Sequence, residues 1–168
     1  MPRLFFALWP DDAARDRLAM HAVRLATQLA GKPVPPEKIH LTLTFLGEVA
    51  EEDRAQGVAA AIRSATFEAC FDRVGTFRGA KVAWAGSSRP AAAMIELQSA
   101  LESSLRAAGF DLEERPFRPH MTLVRRISRT LAPEPIEPIA WTAREFSLVR
   151  SDTSTGRYER MDDWKLGI

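Results

Sequence analysis

The chain has 168 residues, which predicts one domain or two small lobes, and its 46% hydrophobic and 27% charged residues are typical of a globular protein. The net charge of +1 gives no indication of a polyanionic partner. A single cysteine, Cys70, excludes an internal disulfide and a cysteine-based zinc site, and no apolar stretch is patterned as a membrane helix or a signal peptide, so we expect a cytoplasmic protein.

The first half of the chain predicts the order strand, helix, loop, strand, helix. The apolar run RLFFALW at 3–9 predicts a buried strand that a proline closes. A helix is expected over 11–30, where Asp11 and Asp12 can cap its start and an apolar stripe supplies the buried face (Leu18, Val23, Leu25 and Leu29). A loop over 31–38 then leads to a strand over 40–46, and a second helix is expected over 51–65.

The second half predicts more strands. Two of them are expected over 67–77 and 80–86, and an amphipathic helix over 91–109 ends at a glycine. An extended segment leads to a strand over 120–125. The proline-rich segment 129–140 predicts a loop, and two further strands are expected over 141–152 and 157–168.

The two halves share a pattern at a constant offset of 80 residues. A proline precedes each long helix and another precedes each strand that begins with the triplet His-x-Thr. The matching pairs are Pro10 and Pro90, Pro36 and Pro116, His40 and His120, Thr42 and Thr122, and Leu43 and Leu123. Several pairs in one register predict an internal repeat, folded as two similar lobes about a pseudo-twofold axis. That axis can bring the two His-x-Thr strands face to face.

The His-x-Thr triplets have the spacing of a phosphate site. Side chains alternate along a strand, so His40 and Thr42 share one face, about 6.5–7 Å apart, while Leu41, Leu43 and Phe45 take the other face under a helix layer. Two such strands at a cleft offer two imidazoles and two hydroxyls to one phosphate. Histidine acts as acid or base near neutral pH, which suits in-line attack on a strained cyclic phosphate.

Simpler interpretations were weighed against this one. A histidine that begins a strand is often solvated or hydrogen-bonded, and we assign that role to His21 in the middle of its helix. Metal ligation is not favoured, because only two strong ligands are present and no carboxylate lies close to either triplet at a suggestive spacing. Five arginines flank the second triplet and suit phosphate, or form a solvated basic loop (Arg115, Arg118, Arg125, Arg126 and Arg129).

With these motifs the sequence resembles the two-histidine (2H) phosphoesterase superfamily, whose signature is a pair of His-x-Thr-x motifs. Within it, the chain is similar to the RNA 2′,3′-cyclic phosphodiesterases of the LigT/ThpR type, formerly described as 2′-5′ RNA ligases. The segments that carry the resemblance are RLFFAL, PPEKIHLTLTFLGEV, FRPHMTLVR and SLVRSDTSTGRYE, so the likeness extends over essentially the whole chain.

The resemblance implies a bilobal α+β fold, with two antiparallel sheets lining a central cleft and helices outside. It also implies hydrolysis of RNA 2′,3′-cyclic phosphate ends to a 2′-phosphate, with no metal and no cofactor. His40 would be the proton donor and His120 the proton acceptor, while Thr42 and Thr122 would bind phosphate oxygens. Arg125 matches an arginine that assists at the phosphate, although strict alternation from His120 aims it at the opposite face, so it needs a bulge, a strand end or a long reach.

Several alternatives stay open. Phe5 and Tyr158 can stack on a base or belong to the core. The expected partners are RNA 3′ ends or nucleoside 2′,3′-cyclic phosphates, and nothing demands more than a monomer. One alternative function is an RNA-end or nucleotide-binding module with little or no turnover. Others at the same site are cleavage or ligation of 2′-5′ phosphodiesters, and phosphodiesterase action on ADP-ribose cyclic phosphate.

Overall fold

The computed structural model of the protein describes residues 2–167. Within that range three α-helices accompany nine β-strands, so the α+β prediction is confirmed. The elements in chain order are β1 (Arg3–Leu8), α1 (Asp12–Leu29), β2 (Lys32–Pro33), a 3-10 turn (Pro36–Lys38), β3 (Leu41–Glu48), α2 (Glu52–Ala61), β4 (Phe67–Phe77), β5 (Val82–Gly86), α3 (Ala92–Ala107), β6 (His120–Arg125), β7 (Glu134–Ala143), β8 (Glu145–Asp152) and β9 (Arg157–Lys165).

The strands form one antiparallel sheet in the order β7-β4-β5-β6-β3-β1-β8-β9, with β2 added beside β6. The prediction of two separate sheets is therefore wrong. Two four-stranded halves are joined where β3 meets β6, and this junction consists of the single pair Leu41 with Met121. Because each of these residues lies inside a His-x-Thr triplet, the junction places the two triplets next to each other.

Both faces of the sheet are apolar near its centre. One face carries the main core, in which alternate residues of β1 meet buried side chains of α1 and α3 (Leu4, Phe6, Leu8, Leu18, Leu25, Leu97 and Leu101). On the other face Phe5 and Ala7 form a smaller cluster with Val149, and Trp9 and Tyr158 pack against it. The continuous apolar sequence of β1 follows from this burial on both faces.

The predicted helices α1 and α3 lie within two residues of their expected ends. Asp11 caps α1, as expected, because its carboxylate accepts a hydrogen bond from the backbone N–H of Ala14 at 2.9 Å. Gly109 follows α3 with a φ of +95°, a conformation that suits glycine after a helix. Val23 is 60% exposed and was wrongly placed in the buried stripe of α1. Helix α2 ends at Ala61, four residues earlier than predicted.

The segment predicted as a proline-rich loop over 129–140 is mostly strand β7. This strand pairs with β4 and lies at the edge of the sheet, where its other side has no strand partner among residues 2–167. Pro135 and Pro138 are tolerated because an edge strand leaves half of its N–H groups outside the ladder. The strand expected over 141–152 is broken at Arg144 into β7 and β8. The last predicted strand is β9, and Ile168 lies outside the described residues.

A β-bulge reverses the side-chain alternation of β3 directly after the first triplet. The pairing with β1 skips Leu43 between Thr42 and Thr44. Residues beyond the bulge exchange faces, so Thr44 is buried and Phe45 is 51% exposed. The prediction that Phe45 packs under the helices is wrong, because one extra residue shifts the two-residue period by one.

An equivalent bulge interrupts β6. Its pairing with β5 skips Leu123, which stands 80 positions after Leu43, between Thr122 and Val124. Val124 is fully buried and Arg125 is exposed. Arg125 therefore returns to the face of Thr122, which is the outcome that its predicted role requires.

The indole of Trp84 packs beside the second triplet. Trp84 is the cross-strand partner of Thr122, and Gly86 is the partner of His120. A Cβ atom on Gly75 or Gly86 would lie only 2.5 or 2.8 Å from the indole ring. Glycine at both positions therefore lets the indole approach the backbone of β4 and β5 at this end of the sheet.

Candidate active site

The side chains that the sequence predicts for the site all line one cavity of about 270 Å³. The cavity lies at the junction of β3 and β6, on the sheet face that carries the smaller apolar cluster. The predicted residues in its walls are Phe5, His40, Thr42, His120, Thr122, Arg125 and Tyr158.

The register of β3 against β6 explains how the triplets converge. Leu41 pairs with Met121 in an antiparallel ladder. Continued by one residue in each direction, this register sets His40 opposite Thr122 and Thr42 opposite His120. Each imidazole therefore has a hydroxyl of its own strand two residues away and a hydroxyl of the other strand across the junction.

Both histidine rings are held by the same backbone contact. The Nδ1 atom of His40 lies 2.7 Å from the carbonyl oxygen of Lys38, and the Nδ1 atom of His120 lies 2.7 Å from the carbonyl oxygen of Arg118. A carbonyl only accepts, so each Nδ1 carries the hydrogen and Nε2 is the nitrogen left to exchange a proton. His40 Nε2 is also 3.1 Å from Thr42 Oγ1.

The surroundings of the two rings differ. Three aromatic rings surround His40, with centroid distances of 4.9 Å to Phe5, 5.3 Å to Trp9 and 5.4 Å to Tyr158. The ring of His120 meets Phe77 edge-on at 5.1 Å. The two halves thus present the same motif in unequal settings.

Burial lowers the pKa of His40 to about 4. The hydrogen bond to the carbonyl of Lys38 acts in the opposite direction, and electrostatic interactions with Arg125 and His120 lower the pKa of His40 further. With this pKa His40 is neutral near pH 7. Arg125 lines the same cavity as His40 and Thr42, which is consistent with this effect of its charge.

The aromatic side chains of the cavity divide into supporting and accessible rings. Phe5 is 3% exposed and stacks on both His40 and Phe45, so most of its surface is occupied by protein. Phe45 stacks parallel to Phe5 at 5.9 Å and is half exposed. Base stacking by Phe5 or Tyr158 stays a prediction. Tyr158 is partly buried, and Phe45 is the more exposed ring.

Six residues of the cavity wall are not among the predicted ones (Arg3, Val34, Lys38, Phe45, Ser151 and Thr153). Two of the six, Phe45 and Lys38, contact predicted site residues directly. Phe45 stands three residues after Thr42, just as Arg125 stands three residues after Thr122. The offset of 80 residues between the two could therefore have identified Phe45 as a cavity residue. Lys38 provides the carbonyl that holds His40, while its ammonium group lies 5.4 Å from the ring centroid of Tyr158 and donates to the carbonyl of Gly156. The local sequence gives no sign of that distant contact.

His21 and Arg115 lie outside this cavity. His21 on α1 bonds through Nδ1 to Arg24 at 2.9 Å, and Arg115 pairs with Glu113. Among residues 2–167, no cluster of three or more His, Cys, Asp or Glu side chains is arranged to hold a metal ion. Within the same range no helix is both long and apolar enough to cross a membrane.

Comparison with known proteins assigns the chain to a family. The model described as "2'-5' RNA ligase superfamily" matches residues 9–155. The chain belongs to this superfamily, and the resemblance to the two-histidine phosphoesterases drawn from its motifs is confirmed.

Relatives and solved structures agree with this assignment. The chain is 34% identical to the RNA 2′,3′-cyclic phosphodiesterase of Escherichia coli strain K12, over 98% of this chain and 96% of that protein. The protein of the same name from Thermus thermophilus is 33% identical, over 89% of this chain and 82% of its own length. The crystal structure of E. coli LigT complexed with 3′-AMP superposes with a TM-score of 0.90 at 32% identity and covers both chains completely.

Proposed function

We propose that the protein hydrolyses the 2′,3′-cyclic phosphate at RNA 3′ ends to a 2′-phosphate, without a metal ion. His40 is the general acid and His120 the general base, while Thr42, Thr122 and Arg125 bind the phosphate oxygens. The name RNA 2′,3′-cyclic phosphodiesterase, which both relatives carry, supports this choice of substrate.

The proposal depends most on the two imidazoles that line one cavity, each held by the same type of hydrogen bond to the backbone. Each Nδ1–H is held by a backbone carbonyl two residues earlier, and both rings line the same cavity. In-line displacement needs a base for the entering oxygen and an acid for the leaving oxygen, and two Nε2 atoms provide both. The threonine hydroxyls and the Arg125 guanidinium offset charge on the non-bridging oxygens.

The proposed step moves two protons and exchanges one P–O bond. Nε2 of His120 takes a proton from a water molecule as the water oxygen bonds to phosphorus. The bond between phosphorus and the ribose 3′-oxygen breaks, and Nε2 of His40 gives its proton to that oxygen. The products are a 2′-phosphomonoester and a free 3′-hydroxyl.

The acid role requires His40 to be protonated when the substrate is bound. The pKa of His40 is about 4, so the ring is neutral near pH 7 before substrate binds. A phosphate anion beside the imidazole favours its charged form and raises this pKa. Substrate binding therefore takes up a proton on His40 under the proposal.

This uptake predicts that anion binding strengthens as the pH falls from about 7.5 to about 5.5. Sulfate is a suitable probe because it does not itself titrate in this range. One linked proton increases the association constant by up to about tenfold per pH unit. Calorimetric titration in buffers of different ionisation enthalpy measures the uptake directly. The pH dependence should be reduced in His40→Asn, and full dependence in that variant would assign the proton to another group and contradict the acid role.

Product analysis tests the function itself. An oligoribonucleotide with a 2′,3′-cyclic phosphate end is incubated with the protein in excess chelator. We expect a single product with a 2′-phosphate and a 3′-hydroxyl, formed at an undiminished rate. A 3′-phosphate product would reverse the assigned leaving group. Binding without turnover would favour the binding-module alternative, and loss of activity in chelator would contradict metal independence.

We further propose that the chain is a single domain of two similar lobes, related by internal repetition, and that it acts as a monomer. The support is the equivalent placing of the two motifs, their bulges at Leu43 and Leu123, and the strand order, in which β3 and β6 are central and β1 and β5 flank them. Each half places a helix between its flanking strand and its motif strand.

A further inference from the structure

We propose that a basic patch beside the cavity binds the phosphates of the RNA strand upstream of its cyclic end. The patch consists of Lys32, Lys81, Arg125 and Arg126. It gives the RNA strand a second point of attachment outside the catalytic cavity, which a mononucleotide lacks the phosphates to use. This inference rests on the proposed phosphodiesterase function and adds to it the surface that holds the RNA strand beyond the reacting phosphate.

The patch is continuous with the catalytic cavity. A second, open cavity of about 660 Å³ lies between the turn that joins β4 to β5 and the end of β6, and its walls include Lys81, Arg125, Arg126 and Ser128. Arg125 lines this cavity as well as the one that holds both histidines. A strand with its terminal phosphate beside Arg125 can therefore continue directly onto the patch.

The positive charges of the patch have no carboxylate partner in the part of the chain that the structure describes. All four side chains are exposed, and none forms an ion pair with a carboxylate of residues 2–167. The chain is not short of carboxylates, since it has 22 acidic residues against 23 basic ones. Eight other arginines are paired with them (Arg3, Arg15, Arg24, Arg54, Arg106, Arg115, Arg150 and Arg160).

Two of the charged side chains lie opposite each other on neighbouring strands. Lys32 on β2 is the cross-strand partner of Arg125 on β6, so their side chains share a face. Like charges directly opposite each other destabilise a strand pair. An anion between the two side chains relieves this repulsion, which is a reason for an anion to bind there.

The other two charges stand on backbone that disfavours their residue type. Lys81 has a φ of +54° and Arg126 a φ of +56°, in the left-handed region that glycine or asparagine adopts more readily. The two positions are held together, because the N–H of Ile127 donates to the carbonyl of Lys81 at 3.2 Å. Long cationic side chains on strained neighbouring backbone indicate that charge at this place has a use.

The chemistry of the substrate indicates that its upstream phosphates are the groups that bind the basic patch. A cyclic phosphate is the last group of an RNA strand, so the rest of the strand leaves the catalytic cavity from one side only. Lysine and arginine contacts to successive phosphates supply affinity that does not depend on sequence. A nucleoside cyclic phosphate has no further phosphate and cannot use the patch.

The test compares two substrates in a variant with both strained residues replaced, Lys81→Gly with Arg126→Gly. Glycine suits the positive φ at each site, so the variant removes two charges without a backbone penalty. The matched control is Arg63→Ala with Arg144→Ala, which removes two exposed charges elsewhere. Arg144 directly follows Ala143, the β7 residue that pairs with Phe67. Phe67 lies at the end of the 11-residue β4 that is far from the patch, so Arg144 and the patch are roughly 35 Å apart.

The measured quantity is the ratio of kcat/KM on a decamer with a cyclic phosphate end to kcat/KM on uridine 2′,3′-cyclic phosphate. The glycine variant should lower this ratio by about tenfold at low salt and should reduce the salt slope on the decamer by about 1.4. The control pair should leave the ratio at the wild-type value.

An unchanged ratio in the glycine variant, or an equal fall in the control pair, would overturn the proposal. If the wild-type protein turned over neither substrate, the proposed function would fail, and the patch would be tested by fluorescence anisotropy with a 2′-phosphate decamer. Weaker binding by the glycine variant than by the control pair would then support the patch, and equal binding would overturn it.

Discussion

Asparagine in place of either motif histidine is expected to lower kcat on a nucleoside 2′,3′-cyclic phosphate by about 10³-fold. The amide of asparagine can keep the N–H that the ring donates to the carbonyl of Lys38 or Arg118. It places nothing at Nε2, so the substitution removes proton transfer and retains the local hydrogen bond. Both variants should therefore remain folded. Steady-state kinetics measures the loss.

The two histidine variants also test whether the rings act together. If His40 and His120 serve the same displacement, the double variant should be little slower than either single one, because the groups act as a unit. His21→Asn is the matched control, since its ring bonds to Arg24 on α1 outside the cavity, and its kcat should stay within about twofold of wild type. Urea unfolding midpoints separate lost chemistry from lost fold. Near wild-type activity in both single variants would end the paired-histidine mechanism.

Replacement of Arg125 by alanine is expected to lower kcat/KM on the same mononucleotide by about 10²-fold. Its guanidinium lines the cavity with both triplets, and the bulge at Leu123 turns it toward them. Arg125→Lys should recover part of the loss, because it keeps the charge but not the planar pair of donors. The comparison variant is Arg129→Ala, an exposed arginine outside both cavities, which should stay within about twofold of wild type.

A second measurement distinguishes a direct electrostatic role from general destabilisation. The positive charge of Arg125 lowers the pKa of His40, so Arg125→Ala should raise that pKa, as followed by the chemical shifts of the ring in an NMR titration. Unchanged kcat/KM together with an unchanged pKa would place Arg125 outside the site. If the pKa of His40 rose while the activity stayed at the wild-type level, Arg125 would lie beside His40 but would have no catalytic role.

The positions of the bulges explain why part of the site could not be predicted from the sequence. His40 and Thr42 lie before the first bulge, and the alternation of a regular strand placed them correctly on one face. Phe45 and Arg125 lie after the bulges, where that rule gives the wrong face. A bulge depends on how a strand pairs with its neighbour, and the neighbours of β3 and β6 are set by the whole sheet.

The amino-acid sequence by itself determined the features that are local. The Asp11 cap of α1, the glycine after α3, the extent of β4 and the two His-x-Thr triplets 80 residues apart were all predictable from short-range patterns. Only the tertiary structure decided the single sheet, the edge position that lets β7 contain prolines, and the face taken by Arg125. The tertiary structure also decided that the two histidines have different surroundings. The pKa of His40 is lowered by burial among rings from β1 and β9, and these strands are far apart in the chain. Chain order limits which residues can form a helix or a strand, whereas burial and charge act through space and exist only once the strands have paired.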